Sequence, residues 1–130
     1  MIEFEFIYSE LFYFKSDLFK IQEIIDVILD NACEELTLAQ TDSTYLKAPK
    51  IIVTLRKEDS NIVLEFLDNG RGVKDEEHLF TYNKSTKFSF GGSGIGLYAA
   101  REIILNLNGS IEVRTSVNGT CFLVKLPILD

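Results

Sequence analysis

Asp68 closes an apolar run, Ile62-Val63-Leu64-Glu65-Phe66-Leu67, and is followed at once by Asn69-Gly70-Arg71-Gly72. Further along, Gly92-Ser93-Gly94-Ile95-Gly96-Leu97 opens a helix-like run that continues through Tyr98-Ala99-Ala100-Arg101-Glu102-Ile103-Ile104. An ionised carboxylate at a strand end can only accept hydrogen bonds, so it selects an exocyclic amine over a carbonyl. Glycines let the backbone come close to a ligand. A helix start offers unpaired N–H groups and the positive end of the dipole to an anion. Together these residue types suit a purine that carries phosphates. A third element is Asn31, on the flank of an apolar helical stripe near Ile24, Val27 and Glu35. Its neutral amide oxygen is a fitting ligand for a hard cation such as Mg²⁺.

Each motif has a plainer reading. Asp-Asn-Gly is ordinary turn chemistry, and an Asn on a helix is usually a surface residue. The glycines at 92, 94 and 96 could belong to a dinucleotide fingerprint, but that motif needs a buried strand directly before it. The preceding residues, Asn83-Lys84-Ser85-Thr86-Lys87-Phe88-Ser89-Phe90-Gly91, are too polar for one. They read instead as a flexible lid over 74–91. Lys84 and Lys87 could reach phosphates from it or form a solvated basic loop. His78 lies in an acidic stretch and reads as exposed. Phe80 reads as core, whereas Tyr82, Phe88 and Phe90 would pack the lid onto the body or a partner.

The elements that must hold these residues follow from periodicity. Ile2, Phe4 and Phe6 alternate with Glu3 and Glu5, a half-buried strand. Leu11-Phe12-Tyr13-Phe14 reads as a second strand. Ser16-Asp17 offers an N-cap for a long helix whose stripe is Leu18, Ile21, Ile24, Ile25, Ile28, Leu29, Ala32 and Leu36. It should fade in the polar stretch 40–44. Ile51–Leu55 and Ile62–Leu67 form a hairpin turning at Glu58-Asp59-Ser60-Asn61. A second helix over 94–107 stops at Asn108-Gly109, and strands 110–115 and 120–126 flank a turn at Asn118-Gly119. The order predicts an α+β two-layer sandwich, a mixed and mostly antiparallel sheet with helices on one face, as one domain over 1–130.

Bulk properties agree. The chain has 130 residues, 46% apolar and 25% charged, the balance of a soluble globule. Its net charge of −7 argues against non-specific nucleic-acid binding. Arg71, Lys74, Lys84 and Lys87 nevertheless place a local cationic patch between the glycine motifs. Cys33 and Cys121 match no zinc or disulfide pattern and read as reduced thiols. There is neither an apolar run of about 18 residues nor a signal peptide, so membrane contact is not expected and the location reads as cytoplasmic.

With the blocks Leu29-Asp30-Asn31-Ala32, Asp68-Asn69-Gly70-Arg71-Gly72-Val73, Leu79-Phe80 with Ser85-Thr86-Lys87, and Gly92-Ser93-Gly94-Ile95-Gly96-Leu97 in this order, the chain resembles the catalytic, ATP-binding domain of sensor histidine kinases. That group belongs to the superfamily shared with gyrase-type ATPases, Hsp90 and MutL. Asn108-Gly109-Ser110-Ile111, Gly119-Thr120-Cys121-Phe122 and Leu126-Pro127 extend the match over nearly the whole chain. The resemblance implies a Bergerat-type fold. It implies ATP bound by Asn31, Asp68, Gly70, Gly72, Lys87, Gly92, Ser93, Gly94, Ile95, Gly96, Leu97 and Thr120, with Asn31 on Mg²⁺ and Asp68 on the adenine amino group. It also implies ATP and ADP as ligands, a phosphoacceptor histidine on a separate helical domain, and a response regulator reached indirectly. That helical hairpin is not in this sequence, so the chain reads as an excised catalytic domain or a stand-alone module. An anti-sigma-type serine kinase and a non-catalytic ATP-binding module stay open as alternatives.

Three positions depart from the resemblance. Val27, one helical turn before Asn31, stands where gyrase-like ATPases carry a general-base Glu. Glu34 and Glu35 stand where many kinases have a basic residue and an aromatic. Valine can neither take a proton nor orient water, so ATP hydrolysis by this chain is expected to be very slow. A phosphate-release assay showing brisk turnover, about 10 per second, would favour an ATPase over a kinase.

Overall fold

The computed structural model describes residues 1–8, 17–73, 79–80 and 96–128. Helix α1 runs over Leu18–Ala39. Asp17 caps it from an extended backbone, its Oδ1 accepting from the N–H groups of Phe19 at 3.1 Å and Lys20 at 3.2 Å. Two of the four orphan donors of the first turn are thereby satisfied. The apolar stripe is buried as its spacing predicts, with Ile24, Ile28, Ala32, Leu36 and Ala39 facing inward. The chain leaves the helix through the polar turn at Gln40–Thr44, where Asp42 accepts from the backbone and hydroxyl of Thr44.

Strand β1 is Glu3–Tyr8, β2 is Lys50–Glu58 and β3 is Asn61–Asp68. β2 and β3 form the expected hairpin, with Asp59 at φ 57° in the turn. The left-handed backbone is one that Asp tolerates because its short side chain can bond locally. Helix α2 covers Gly96–Asn106. It ends on Asn108 at φ 62°, and Gly109 N–H closes back onto the Ile104 carbonyl at 2.9 Å. That is a Schellman-type stop at the dipeptide the sequence marks. Strands β4, Ser110–Ser116, and β5, Gly119–Pro127, complete the element order.

The strands form one sheet ordered β1-β2-β3-β5-β4; β1 is parallel to β2 and every other neighbour is antiparallel. The core lies between this sheet and the two helices. Phe66 and Phe122 pack there with Ile51, Val124 and Leu126 against the α1 stripe and Ile104 of α2. Phe80 joins as expected, edge-on to Phe122 at 6.3 Å with the Arg101 guanidinium over its ring. The architecture is the α+β two-layer sandwich that the element order predicts.

β1 departs from expectation. Ile2, Phe4 and Phe6 were to be its covered side, yet Phe4 is 53% and Phe6 50% exposed and every residue of the strand is exposed. β1 pairs Phe4 with Ile51 and Phe6 with Val53, so these rings do extend the core face. α1, however, sits over β3, two strands away from this sheet edge. The alternation reads the face correctly but not how far the helices reach. The expected strand at 11–14 and most of the 74–91 lid lie outside the described residues.

Among the described residues, no helix is long and apolar enough to cross a membrane. Because Phe66 is 2% exposed at the middle of the core, Phe66→Ala is expected to cost about 3–5 kcal/mol in urea unfolding. Asp17→Ala should cost only about 1 kcal/mol. A loss at Phe66 no larger than that at Asp17 would contradict the packing.

Candidate functional site

The antiparallel registers bring Asp68, the last residue of β3, opposite Thr120 on β5 and Ile51 on β2. An alternating strand must put Asp68 on the same side as Phe66 and Leu64, so a carboxylate ends up inside the core face. Asp68 is 3% and Thr120 2% exposed. A buried carboxylate needs hydrogen-bond donors, and the Gly70 N–H supplies one to Oδ1 at 2.9 Å. The loop itself therefore turns back on the residue that starts it.

Three glycines make this packing possible. A methyl at Gly70 would stand 2.9 Å from Asp68 Oδ1 and 3.2 Å from Glu35 Cγ. Gly72 has φ +86°, and a methyl there would collide with the Ser116 carbonyl. Gly119 has φ +141°, and its methyl would collide with the Asp68 carbonyl. The sequence pointed to Gly70 and Gly72. Gly119 reads there as a hairpin turn and as part of the matching block Gly119-Thr120-Cys121-Phe122, and its contact with Asp68 is visible only once β3 and β5 are paired. Gly96, at the start of α2, is different, because a methyl would merely touch Val27 at 3.4 Å. The described protein leaves room there.

Asn69, together with polar residues that no motif singles out, holds the loop from outside. Asn69 Oδ1 accepts from the Lys50 N–H at 2.7 Å and the Tyr45 hydroxyl at 3.2 Å, and its amide donates to the Ala48 carbonyl at 2.8 Å. Thr115 Oγ1 accepts from the Val73 N–H at 2.7 Å and lies 3.2 Å from the Thr120 hydroxyl. The Asp-Asn-Gly signature hints at Asn69 as a turn residue; Tyr45 and Thr115 carry no sequence signal. Burial pushes the Tyr45 hydroxyl above its ordinary pKa, with the nearby charges of Asp68 and Glu35 adding to the rise. Hydrogen bonds from Thr44, and then Arg71, hold the Asp42 carboxyl below the usual carboxylate range.

Asn31 is half-buried on α1, with Val27 one turn before it and Glu35 one turn after. Val27 meets the start of α2 at Gly96. Glu35 pairs with Arg71, Oε1 to Nε at 3.3 Å, and Arg71 Nη1 stands 3.6 Å from Asp42 Oδ2. Arg71 is thus engaged by two carboxylates instead of standing as a free member of the cationic patch. Asp68, Gly70, Gly72 and Thr120 come together where β3 ends beside β5 and β4, while Asn31 lies on α1 and Gly96 and Leu97 open α2. Lys87, Gly92, Ser93, Gly94 and Ile95 lie outside the described residues, as do Lys74 and Lys84. No group of three metal-ligating acidic, His or Cys side chains occurs among the described residues.

The two kinds of glycine should respond differently to a methyl. Gly119→Ala is expected to cost at least about 2 kcal/mol in chemical denaturation, through left-handed strain plus the clash. Gly96→Ala should be neutral or slightly stabilising, since Ala is the better helix former. Equal effects would show that Gly119 does not bear on Asp68 as described.

The chain is 32% identical over 107 residues to a probable C4-dicarboxylate sensor kinase of Halalkalibacterium halodurans, covering 80% of this chain and 19% of that protein. It is 34% identical over 99 residues to the signal transduction histidine-protein kinase ArlS of Staphylococcus aureus, covering 68% of this chain and 22% of ArlS. The chain thus spans about a fifth of the length of these relatives. Among solved structures, the catalytic domain of histidine kinase ThkA superposes with TM-score 0.79 at 22% identity, over 97% of this chain and 78% of that one. Full-length ShkA in complex with AMPPNP superposes with TM-score 0.80 at 20% identity, over 98% of this chain and 26% of ShkA. Both neighbours have the same fold. The model of the histidine kinase-, DNA gyrase B- and HSP90-like ATPases matches residues 16–130, and the chain belongs to that family.

Proposed function

We propose that this chain is the ATP-binding catalytic part of a two-component sensor histidine kinase, a phosphotransferase that presents the ATP γ-phosphate to a histidine on a separate dimerisation domain. The observation that carries the reading is the Asp68 carboxylate, buried beside Thr120 and reached by a loop of glycines. Such a group suits an adenine amino donor, because an ionised carboxylate offers acceptors alone. Thr120 stands at the same base edge. Gly70 and Gly72 let the backbone pass under the base, and the N–H groups of the first turn of α2, which begins at Gly96, suit phosphates. Ser93, Gly94, Ile95 and Leu97 would continue that cradle, with Gly92 at its start and Lys87 on the phosphates.

The donor set also fits Mg²⁺, which keeps several waters and takes few protein oxygens. Asn31 would hold it, and the ion would neutralise charge on the phosphates. In the transfer itself, an imidazole nitrogen of the partner histidine attacks the γ-phosphorus, the bond to the β–γ bridging oxygen breaks, and ADP leaves. This chain's own work is to bind and orient the nucleotide. Val27 supports transfer over hydrolysis, since an apolar side chain packed toward Gly96 activates no water. The relatives named above are sensor kinases far longer than this chain, which supports a phosphoacceptor domain, and beyond it a response regulator, as partners. On this reading the chain works in the cytoplasm, where ATP is.

Calorimetry is expected to show Mg-ATP and ADP binding and no comparable binding of GTP. Guanine would set a carbonyl against Asp68, a buried mismatch worth roughly 1–3 kcal/mol. Asp68→Ala should weaken ATP by a similar amount. Unchanged ATP affinity in that variant would overturn the assignment.

A further inference from the structure

The loop from Asp68 to Val73 is tied down on several sides. Asn69 fastens it to residues 45–50, and Val73 fastens it to Thr115 of β4. The tie toward α1 is made by Arg71. Its Nε meets Glu35 of α1 at 3.3 Å, and its Nη1 lies 3.6 Å from Asp42 in the turn that follows the helix. The Glu35 side chain is only 13% exposed. A carboxylate so far out of water needs a cation, and a planar guanidinium presents its N–H groups to two carboxylates in a fixed fork, where an ammonium is a compact point charge on a flexible stem. Directly beneath, Gly70 is packed so closely on the Glu35 stem that a methyl would stand 3.2 Å away. Loop and helix therefore meet at Gly70, and Arg71 closes the contact from the solvent side.

Glu35 lies one helical turn beyond Asn31 on the same flank of α1. The ion pair thus joins the loop that carries Asp68 to the helix that carries Asn31. We infer that Glu35 and Arg71 are positioning residues of the nucleotide site: their ion pair, buttressed by Asp42, sets the spacing between the base-recognition loop and the metal-side flank of α1. The inference rests on the nucleotide reading above. It concerns Glu35, one of the two adjacent positions where this chain departs from the more common basic and aromatic residues, and it gives that residue a role that its type alone does not suggest. A ligand that spans both sides, Mg-ATP, feels the spacing. Adenosine, which reaches only the base side, does not.

The test is a double-mutant cycle on the whole chain with Glu35→Gln, Arg71→Gln and the double variant. Affinity for Mg-ATP would be read by calorimetry, affinity for adenosine by NMR titration, and folding by circular dichroism. Each single change is expected to weaken Mg-ATP about tenfold, and the double variant no further than the weaker single, the signature of one shared interaction. Adenosine should stay within about twofold of the parent throughout. Mg-ATP affinity within about twofold of the parent in both singles would overturn the inference. So would losses that multiply in the double variant, or adenosine falling in step with Mg-ATP, which would mean that the pair merely supports the pocket. Should a glutamine variant fail to fold, Arg71→Lys keeps the charge without the two-pronged geometry. An intermediate loss of Mg-ATP with adenosine unchanged supports the inference; full Mg-ATP affinity overturns it. Asp68→Ala separates the two levels: a parent that binds no Mg-ATP, or an Asp68→Ala variant that binds it like the parent, ends the nucleotide reading and this inference with it. Loss confined to Asp68→Ala ends this inference alone.

Discussion

A carboxylate cannot sit inside a core face without donors around it, and that requirement organises one end of this molecule. Asp68 reaches its position because β3 alternates strictly and its last inward residue is acidic. Once there, it constrains its neighbours. Gly70 must turn back to donate its N–H. Gly119 must be glycine, because the β5 backbone passes directly over the Asp68 carbonyl. Thr120 follows by register, and its hydroxyl reaches Thr115, which in turn accepts from Val73. Desolvating a carboxylate costs stability. A chain that stabilised only its own fold would have an apolar residue here, continuing the run of Leu64 and Phe66. The arrangement makes sense as a recognition device held ready at the expense of some folding free energy.

Much of this was legible in the residues. The α1 stripe, the Asp17 cap, the Asn108-Gly109 stop and both hairpins follow from short-range chemistry, and the structure has them. What the residues could not reveal depends on distance along the chain. Glu35 and Arg71 are far apart in sequence, and no local pattern pairs them. Tyr45 carries no motif, yet its hydroxyl bonds both the backbone and the side chain of Asn69. Thr115 looks like any strand threonine until Val73 folds onto it. β1 fails for the same reason in reverse. Its alternation is real, but whether a face is covered depends on where the helices lie, and they lie elsewhere.

Charge raises a separate question, since on the nucleotide reading a chain of net charge −7 would receive a polyanion. Counting basic residues between the two glycine motifs suggests a cationic patch that includes Arg71. The structure engages Arg71 with Glu35 and Asp42, so its positive charge is largely cancelled at short range. One guanidinium against two carboxylates leaves this cluster net negative. On the nucleotide reading, Arg71 offsets those carboxylates more than it attracts phosphate. On the same reading, attraction would come from backbone N–H groups at the start of α2 and from a divalent cation.

α1 connects these parts because a helix spaces its residues regularly. Val27, Asn31 and Glu35 follow at four-residue steps on one flank, beside the stripe that faces the core. At 1.5 Å rise per residue, Val27 and Glu35 are roughly 12 Å apart along the axis. One end of that flank meets α2 at Gly96, and the other meets the Asp68 loop through Gly70 and Arg71. Asn31 stands halfway between. The helix therefore fixes the separation between the side suited to phosphates and the side suited to the base, and it does so with contacts of opposite kinds. The contact at Val27 is apolar and leaves room. That at Glu35 is ionic and draws the loop inward. A polar residue at 27 would loosen the first, and an aromatic at 35 would replace the second with bulk. Valine and glutamate at these positions are then coherent with each other: on the nucleotide reading, both let α1 act as a rigid spacer with Asn31 between its two contacts.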